Sequence, residues 1–183
     1  MPRVVKVTKA EILEKAYEMT RSEGFEAITT RKLAKELGCS TQPIFSAYAN
    51  MEELKKDLYE RTRIEFTDYI MNHTCSNAPP FLQMGLNYIT LANKEKHLFK
   101  LLCMSDNVRI SSLEDMVKAA QYNIVGEGVE EAAMISKEMA KRIFLKCWLF
   151  SHGIASMVAT NQMSLSEEEL IALLQETYLA FLK

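Results

Sequence analysis

Four small or polar residues occur close together in the first third of the chain, at Thr41, Gln42, Pro43 and Ser46. The glutamine amide holds a donor and an acceptor side by side, so it can make a bidentate hydrogen bond to the edge of an adenine. Thr41 and Pro43 offer apolar atoms that fit the methyl group of a thymine. The alternative is that these residues only cap a helix and face solvent. Because they lie between apolar anchors at the exposed start of a predicted helix, we favour contact with bases.

Residues that begin and end helices divide the surrounding sequence into short segments. Thr29 is expected to cap one short helix with its hydroxyl, and Gly38 is expected to end that helix in the left-handed conformation. Ser40 is then expected to cap a second short helix. Asn50 is expected to cap a third helix, with Glu53 at the spacing of a capping box. Two short helices joined by a glycine turn are typical of a helix-turn-helix.

The segment from Thr8 to Leu54 resembles the DNA-binding domain of TetR-type (tetracycline-repressor-like) transcriptional regulators. The resemblance rests on TKAEILEKAYEMTRSEGFEAITTRKLAKELGCS, on the following IF and Tyr48, and on NMEEL at the start of the next helix. It implies an N-terminal helix-turn-helix domain that binds operator DNA. It also implies a helical body that binds a small molecule and forms a homodimer.

The residue types and the resemblance together give a set of expected DNA contacts. Phe45, Ala47 and Met51 stand where such regulators commonly carry tyrosine, histidine and lysine that contact phosphates. We expect other residues of the segment and a basic N-terminal arm to supply phosphate contacts instead. The complete expected set is Arg3, Lys6, Thr29, Thr30, Arg31, Thr41, Gln42, Pro43, Phe45, Ser46 and Asn50.

Charge supports DNA binding only locally. The formal net charge of the chain is −2, so a broadly basic nucleic-acid-binding surface is excluded. However, residues 1–10 contain basic side chains and no acid, and the only charged residues from Ala27 to Lys35 are Arg31, Lys32 and Lys35. Residues 39–51 contain no carboxylate that would repel phosphate.

Composition predicts a cytoplasmic protein without a metal or cofactor. Hydrophobic residues make up 48% and charged residues 25% of the 183-residue chain, which is typical of a globular domain. We find no secretory signal and no apolar run of membrane-spanning length. The cysteines lack the paired spacing of a zinc site, so reduced thiols are expected. They are Cys39, Cys75, Cys103 and Cys147.

The remaining pattern is helical throughout and predicts an all-α protein of about nine helices. We expect a helix-turn-helix domain over residues 1–50, a bridging helix over 51–71, and a helical ligand-binding and dimerisation domain over 72–183. Residues 72–80 are expected to be a linker, and Gly126-Glu127-Gly128 a turn. Helices are expected from Val7 to Ser22, Pro80 to Ala92, Lys94 to Met104, Ser111 onward, about Glu131 to Thr160, and Ser166 to Leu182.

The helical body carries more large apolar and methionine side chains than a plain bundle requires. We expect some of them to line a pocket for a neutral or cationic, apolar or aromatic ligand. The alternative is that each of them only fills the core, and a lone histidine such as His152 is usually a core residue. The expected pocket residues are Phe81, Met84, Tyr88, Phe99, Cys103, Met104, Met116, Tyr122, Trp148 and His152.

The last two predicted helices carry apolar or small residues at helix-packing spacing, which predicts a homodimer interface of four helices. The expected interface residues are Ser151, Ile154, Ala155, Val158, Leu170, Leu174, Tyr178 and Phe181.

Two functions follow from these patterns. The first is a DNA-binding transcriptional regulator, expected to be a ligand-responsive repressor that binds a palindromic operator as a homodimer. The alternative is an all-α enzyme or small-molecule carrier whose first domain does not bind DNA. The sequence contains no nucleophile–base pair, metal-ligand spacing or phosphate loop, so we favour the regulator and expect no catalytic activity.

Overall fold

A computed structural model of the chain describes residues 7–73, 80–104, 111–112, 114–115, 118 and 135–182, except for the side chains of Pro80 and Phe81. These residues form α-helices and one 3₁₀ turn, with no β-strand among them. The helices are α1 (Lys9–Glu23), α2 (Thr30–Glu36), α3 (Gln42–Ala47), α4 (Met51–Asn72), α5 (Pro80–Lys94), α6 (Lys96–Cys103), α7 (Lys137–Ala159) and α8 (Glu167–Phe181). The 3₁₀ turn, Phe25–Ala27, follows α1.

The all-α prediction is confirmed, with differences at some helix ends. The helix expected from about Glu131 begins only at Lys137, because Ser136 adopts extended backbone and caps it by accepting from the Met139 amide. The helix expected to start at Lys94 begins at Lys96, since Glu95 is not helical. The Gly126–Gly128 turn and most of the expected linker lie outside the described residues.

The chain divides into two compact units. The first unit comprises the described residues up to Phe66 together with Glu95 to Met104, and therefore includes α6. The second unit comprises Thr67 to Lys94 and the described residues from position 111 onward. Helix α4 is continuous across the division.

Capping boxes begin the first and last helices. The Thr8 hydroxyl accepts from the Glu11 amide at 3.2 Å, and the Glu11 carboxylate accepts from the Thr8 amide at 2.7 Å. Ser166 and Glu169 make the same reciprocal pair at the start of α8. Each pair satisfies two amides that lack a partner within the helix. These hydrogen bonds also lower the pKa of both carboxyl groups.

A Schellman motif joins α2 to α3. The Gly38 amide donates to the Lys35 carbonyl, and the Cys39 amide donates to the Ala34 carbonyl. Gly38 has φ of 64°, in the left-handed region that glycine adopts without the Cβ penalty. The predicted glycine stop is confirmed, and it sets the direction in which the chain enters α3.

The core of the first unit is a contiguous cluster of apolar side chains from α1, α2, α3, α4 and α6. Ile12, Leu33, Ile44 and Leu54 are almost completely buried in it. The one buried hydroxyl on α1, that of Thr20, is satisfied by donating to the Ala16 carbonyl at 2.7 Å. Leu101 of α6 belongs to the same cluster, which explains why α6 is part of this unit.

The second unit is held together by α5, α7 and α8, which pack against one another. Gly85 of α5 allows the closest approach, because a Cβ there would lie 3.3 Å from both the Leu174 side chain of α8 and the Ser151 hydroxyl of α7. The surrounding core contains Leu82, Leu86, Ile89, Ala140, Ile143, Phe144, Ile154, Ala155, Val158 and Leu170.

Replacing Gly38 tests the role of its backbone conformation. Gly38→Ala is expected to lower the free energy of unfolding by about 1 kcal/mol, because a Cβ in the left-handed region costs roughly 1–2 kcal/mol, offset in part by lower entropy of the unfolded chain. A Cβ at this position meets nothing within 4 Å, so steric clash does not contribute. Gly38→Asn is the control and should cost less, because asparagine tolerates this conformation. Urea unfolding followed by far-UV circular dichroism measures both; an unchanged Gly38→Ala protein contradicts the assignment.

Candidate nucleic-acid interface

Helix α2 begins at a side-chain cap with a basic residue in its first turn. The Thr29 hydroxyl accepts from the Lys32 amide at 3.2 Å, as its position in the sequence predicts. Thr30 is half-buried and Arg31 is exposed. The free first-turn amides and the positive end of the helix dipole favour an anion near this terminus.

Helix α3 begins one residue later than a Ser40 cap requires. Its N-terminal flanking residue is Thr41, whose backbone is already helical and whose side chain makes no capping hydrogen bond. The flanking residue is therefore one position later than the predicted Ser40, and Thr41 lacks the extended backbone that a side-chain cap uses. Pro43 lies in the first turn, where its missing amide hydrogen costs little.

Two buried side chains fix which face of α3 is exposed. Ile44 and Tyr48 are each 2% exposed and pack in the core of the first unit. The opposite face presents Gln42, Phe45 and Ser46 to solvent, and the Phe45 ring is 57% exposed. The residues expected to meet base edges therefore lie together on one accessible surface.

The starts of α2 and α3 line one shallow depression. Thr29, Thr30 and Arg31 contribute from α2 and its cap, and Thr41 and Phe45 contribute from α3 and its flank. Five of the expected DNA-contacting residues are thus brought together by the fold. We refer to these five residues and the exposed Gln42 as the α2–α3 surface.

Two further expected contacts already make hydrogen bonds within the protein. The Ser46 hydroxyl donates to the Gln42 carbonyl at 3.0 Å, and its oxygen retains acceptor capacity. The Asn50 side-chain oxygen accepts from the Glu53 amide at 2.9 Å, which confirms the predicted cap. The Glu53 carboxylate, however, reaches the Ala49 amide at 2.7 Å and not the Asn50 amide, so the predicted capping box is displaced by one residue.

The cations near the α2–α3 surface are not equivalent. Lys32 Nζ lies 2.5 Å from a Glu23 carboxylate oxygen, which neutralises it. Lys9 Nζ lies 2.9 Å from an Asp57 carboxylate oxygen and 4.6 Å from the centre of the Tyr48 ring. Arg31 makes no ion pair with any described residue. Arg31 is therefore the cation on this surface whose charge is available to a phosphate.

Several positions named from the sequence do not belong to this surface. Ala47 and Met51 are half-buried and pack against the apolar cluster of the first unit. Arg3 and Lys6 lie outside the described residues.

The sequence matches no protein-family model and no curated protein. Its structure is similar to that of a candidate TetR-family transcriptional regulator from Vibrio parahaemolyticus. The two chains are 19% identical, with a TM-score of 0.63, and the similarity covers 92% of this chain and 95% of the other.

The chain has a TetR-type fold. The resemblance found in Thr8–Leu54 thus extends to the architecture of nearly the whole chain. In this fold α2, the glycine turn and α3 form the helix-turn-helix, with α3 as its second helix. The α2–α3 surface lies on this motif.

An aromatic cluster in the second unit unites three of the expected pocket residues. The Tyr88 hydroxyl lies 2.8 Å from His152 Nδ1, and the Trp148 ring stacks on His152 with centroids 5.2 Å apart. Burial lowers the pKa of His152, so its imidazole stays neutral at pH 7. Half-buried Met84 lies on α5, the helix that also carries Tyr88.

The other expected pocket residues are not in this cluster. Buried Phe99, half-buried Cys103 and exposed Met104 belong to the first unit. The Phe81 side chain, Met116 and Tyr122 lie outside the described residues.

Most residues expected at the dimer interface are buried within a single chain. They form the inner faces of α7 and α8, where Gly85 of α5 approaches Ser151 and Leu174. In the single chain these are core residues with at most 8% of their surface exposed: Ser151, Ile154, Ala155, Val158, Leu170 and Leu174. Tyr178 and Phe181 are half-buried, with Lys146 Nζ 5.1 Å from the centre of the Phe181 ring.

Sequence reasoning missed an ionic network that joins α1 to α4 in the first unit. Arg61 of α4 donates to the Glu14 carboxylate at 2.7 Å and lies over the Tyr17 ring at 4.0 Å. The Tyr17 hydroxyl donates to Glu65, and desolvation together with this hydrogen bond raises the pKa of Tyr17. These partners lie more than 40 residues apart, so no local pattern identifies them.

The described part of the chain contains no group of three or more His, Cys, Asp or Glu side chains that could hold a metal ion. Cys39, Cys103 and Cys147 form no disulfide, and Cys75 lies outside the described residues. Burial raises the pKa of the Cys147 thiol to about 12, so it is protonated at neutral pH. None of the described helices is long and apolar enough to span a membrane.

Proposed function

We propose that this protein is a DNA-binding transcriptional regulator that inserts α3 into the major groove. The observation that carries the proposal is the α2–α3 surface, where Arg31, Thr41 and Phe45 line one depression and the next residue after Thr41, Gln42, is exposed. The second helix of a helix-turn-helix contacts base edges with its N-terminal residues. The absence of carboxylates from residues 39–51 supports this placement, because none repels the phosphates.

Gln42 is the principal base-reading residue of the proposal. Its side chain is exposed in the first turn of α3, and Ile44 packs the opposite face of the helix against the core. A glutamine amide fits the N6 and N7 edge of adenine with two hydrogen bonds. We therefore expect each half-site to contain an adenine opposite Gln42, with Thr41 and Pro43 beside it.

Phosphate contacts come from the cap and first turn of α2. Arg31 supplies the charge, while Thr29, Thr30 and the first-turn amides supply hydrogen bonds. Asn50 keeps two amide hydrogens for the backbone because only its oxygen is used in capping. Arg3 and Lys6 are proposed to add electrostatic contacts from the N-terminal arm. Ser46 donates its hydroxyl hydrogen within α3, so its remaining acceptor capacity is proposed to meet an amino group on a base edge and not a phosphate.

The regulator is proposed to act as a homodimer on a palindromic site, because paired helix-turn-helices read two half-sites. The inner faces of α7 and α8 are occupied by their own core, so the proposed interface uses their outer faces. Leu149 and Met157 of α7 and Leu173 and Leu179 of α8 are exposed large apolar side chains available to it on these helices. Four such side chains from each protomer would form an apolar interface between two helix pairs.

A small apolar or aromatic molecule is proposed to bind near Tyr88, Trp148 and His152 and to release the DNA, as expected of a ligand-responsive repressor. Two aromatic rings and a neutral imidazole offer stacking surfaces to a neutral or cationic ring. Helix α4 is continuous from the DNA-binding unit into the unit that holds this cluster, so it provides a physical connection.

DNA contacts are tested with duplexes selected by the protein from a random library, alongside scrambled duplexes. Gln42→Ala is expected to cost about 1–3 kcal/mol on the selected site and to relax preference at one base pair. Arg31→Ala should weaken binding to both DNAs and reduce the slope of log K against log salt by about 1 per half-site. Arg142→Ala is the matched control, since it removes an exposed arginine of the second unit. Equal losses for Gln42→Ala on both DNAs would contradict its role in base reading.

The dimer is tested by placing a charge on the proposed interface. Leu149→Glu combined with Leu179→Glu is expected to give a monomer at micromolar concentration, because each buried leucine contributes about 1.5–3 kcal/mol. Ile64→Glu is the control, since Ile64 is an exposed apolar side chain of α4 in the first unit. Light scattering measures the mass of each protein; a monomeric wild type excludes this part of the proposal.

Ligand response is tested by fluorescence of Trp148, the single tryptophan. Neutral and cationic aromatic compounds are titrated with and without selected DNA. For about a hundredfold release, the ligand must bind the DNA-free form more tightly by about 2.7 kcal/mol, and DNA must weaken ligand binding by the same factor. Tyr88→Phe should weaken binding by breaking the hydrogen bond to His152, with Tyr59→Phe as control. A ligand whose affinity is the same with and without DNA is not an effector.

A further inference from the structure

Phe45 is the most exposed large apolar side chain among the described residues, at 57%. A single exposed apolar residue is ordinary on a protein surface. Phe45 differs from the others in its position, because it lines the same depression as Arg31 and Thr41. It also lies three residues after Gln42 on α3, so the two side chains share one face of the helix.

The chemistry of Phe45 excludes most contacts with DNA. Its ring has no hydroxyl, so it cannot donate a hydrogen bond to a phosphate or to a base. An apolar side chain in the major groove contacts the C5 methyl group of thymine, which no other standard base carries. The ring therefore has one favourable partner on the base edges.

The spacing on α3 indicates where that thymine lies. Residues 42 and 45 are separated by roughly 4.5 Å along the helix axis, from a rise of 1.5 Å per residue. Successive base pairs are separated by about 3.4 Å. A base pair contacted by Phe45 is thus a near neighbour of the one contacted by Gln42.

We infer that Phe45 is a specificity-determining residue that reads a thymine methyl group next to the adenine read by Gln42. This inference rests on the proposed function, since it requires α3 to enter the major groove. The half-site then contains an adenine and a thymine at neighbouring base pairs. The wild-type preference arises from burying one methyl group against the ring.

Replacing thymine by deoxyuridine tests the inference because it removes only the C5 methyl group. Duplexes selected by the wild-type protein from a random library are copied with either dTTP or dUTP, and both forms are titrated by fluorescence anisotropy. Wild type is expected to bind the thymine form about fourfold more tightly per half-site, the effect of burying one methyl group. Phe45→Ala is expected to bind both forms equally, whereas Phe45→Tyr keeps the ring and the preference.

Ile64→Ala is the matched control, because Ile64 is 56% exposed in the same unit and lies on α4. It should retain the full preference for thymine. Duplexes with a single deoxyuridine then locate the position, which is expected beside the base pair whose identity ceases to matter in Gln42→Ala.

Two outcomes overturn the inference. The first is equal binding of both forms by wild type. The second is a thymine preference that survives in Phe45→Ala, which assigns the methyl contact to another residue. If that variant also loses affinity by one factor on both forms, Phe45 acts as a wedge inserted between bases and does not read the methyl group. Failure to select any DNA is distinguishable from these results, since it overturns the proposed function and the inference together.

Discussion

The burial of Ile44 and Tyr48 is the interaction on which the α2–α3 surface depends. Helix α3 has six residues, and an isolated helix of this length does not form in water. Its conformation is therefore imposed by packing Ile44 of the helix and Tyr48, the residue that follows the helix, against the core of the first unit, where each is 2% exposed. The same packing leaves Gln42 and Phe45 on the outer face. The packing that stabilises the first unit is therefore the same packing that positions the proposed DNA-contacting residues.

The short elements around α3 were predictable because their signals are local. The Thr29 cap, the left-handed Gly38 and the Asn50 cap each depend on residues at most five positions apart. The shift from Ser40 to Thr41 at the start of α3 was not predictable in this way, since serine and threonine are both good caps. Thr41 flanks the helix with a helical backbone and no side-chain cap, which no local pattern indicates.

Features that depend on distant partners escaped prediction. Arg21 pairs with Glu95, which is 74 positions away, and thereby fastens α1 to the start of α6. Nothing in the sequence of α6 indicates that it belongs to the first unit. For a related reason, the sequence does not distinguish the buried face of α7 from its exposed face. Both Ile154 and Leu149 lie on apolar stripes at helical spacing, and only the packing of α5 at Gly85 decides which stripe is buried.

The amide of Asn87 has a consequence for the length of α4. Asn87 is buried on α5 and donates to the Ile70 carbonyl at 3.0 Å and to the His73 carbonyl at 2.6 Å, so it binds the last turn of α4. Both carbonyls lie at the C-terminal end of α4, where carbonyls lack amide partners within the helix. The Asn87 side chain therefore acts as a cap that α5 supplies to α4. Because each residue turns a helix by about 100°, an insertion or deletion between Ile70 and His73 would move one of the two carbonyls out of reach of this amide. The two hydrogen bonds thus fix the residue at which α4 ends.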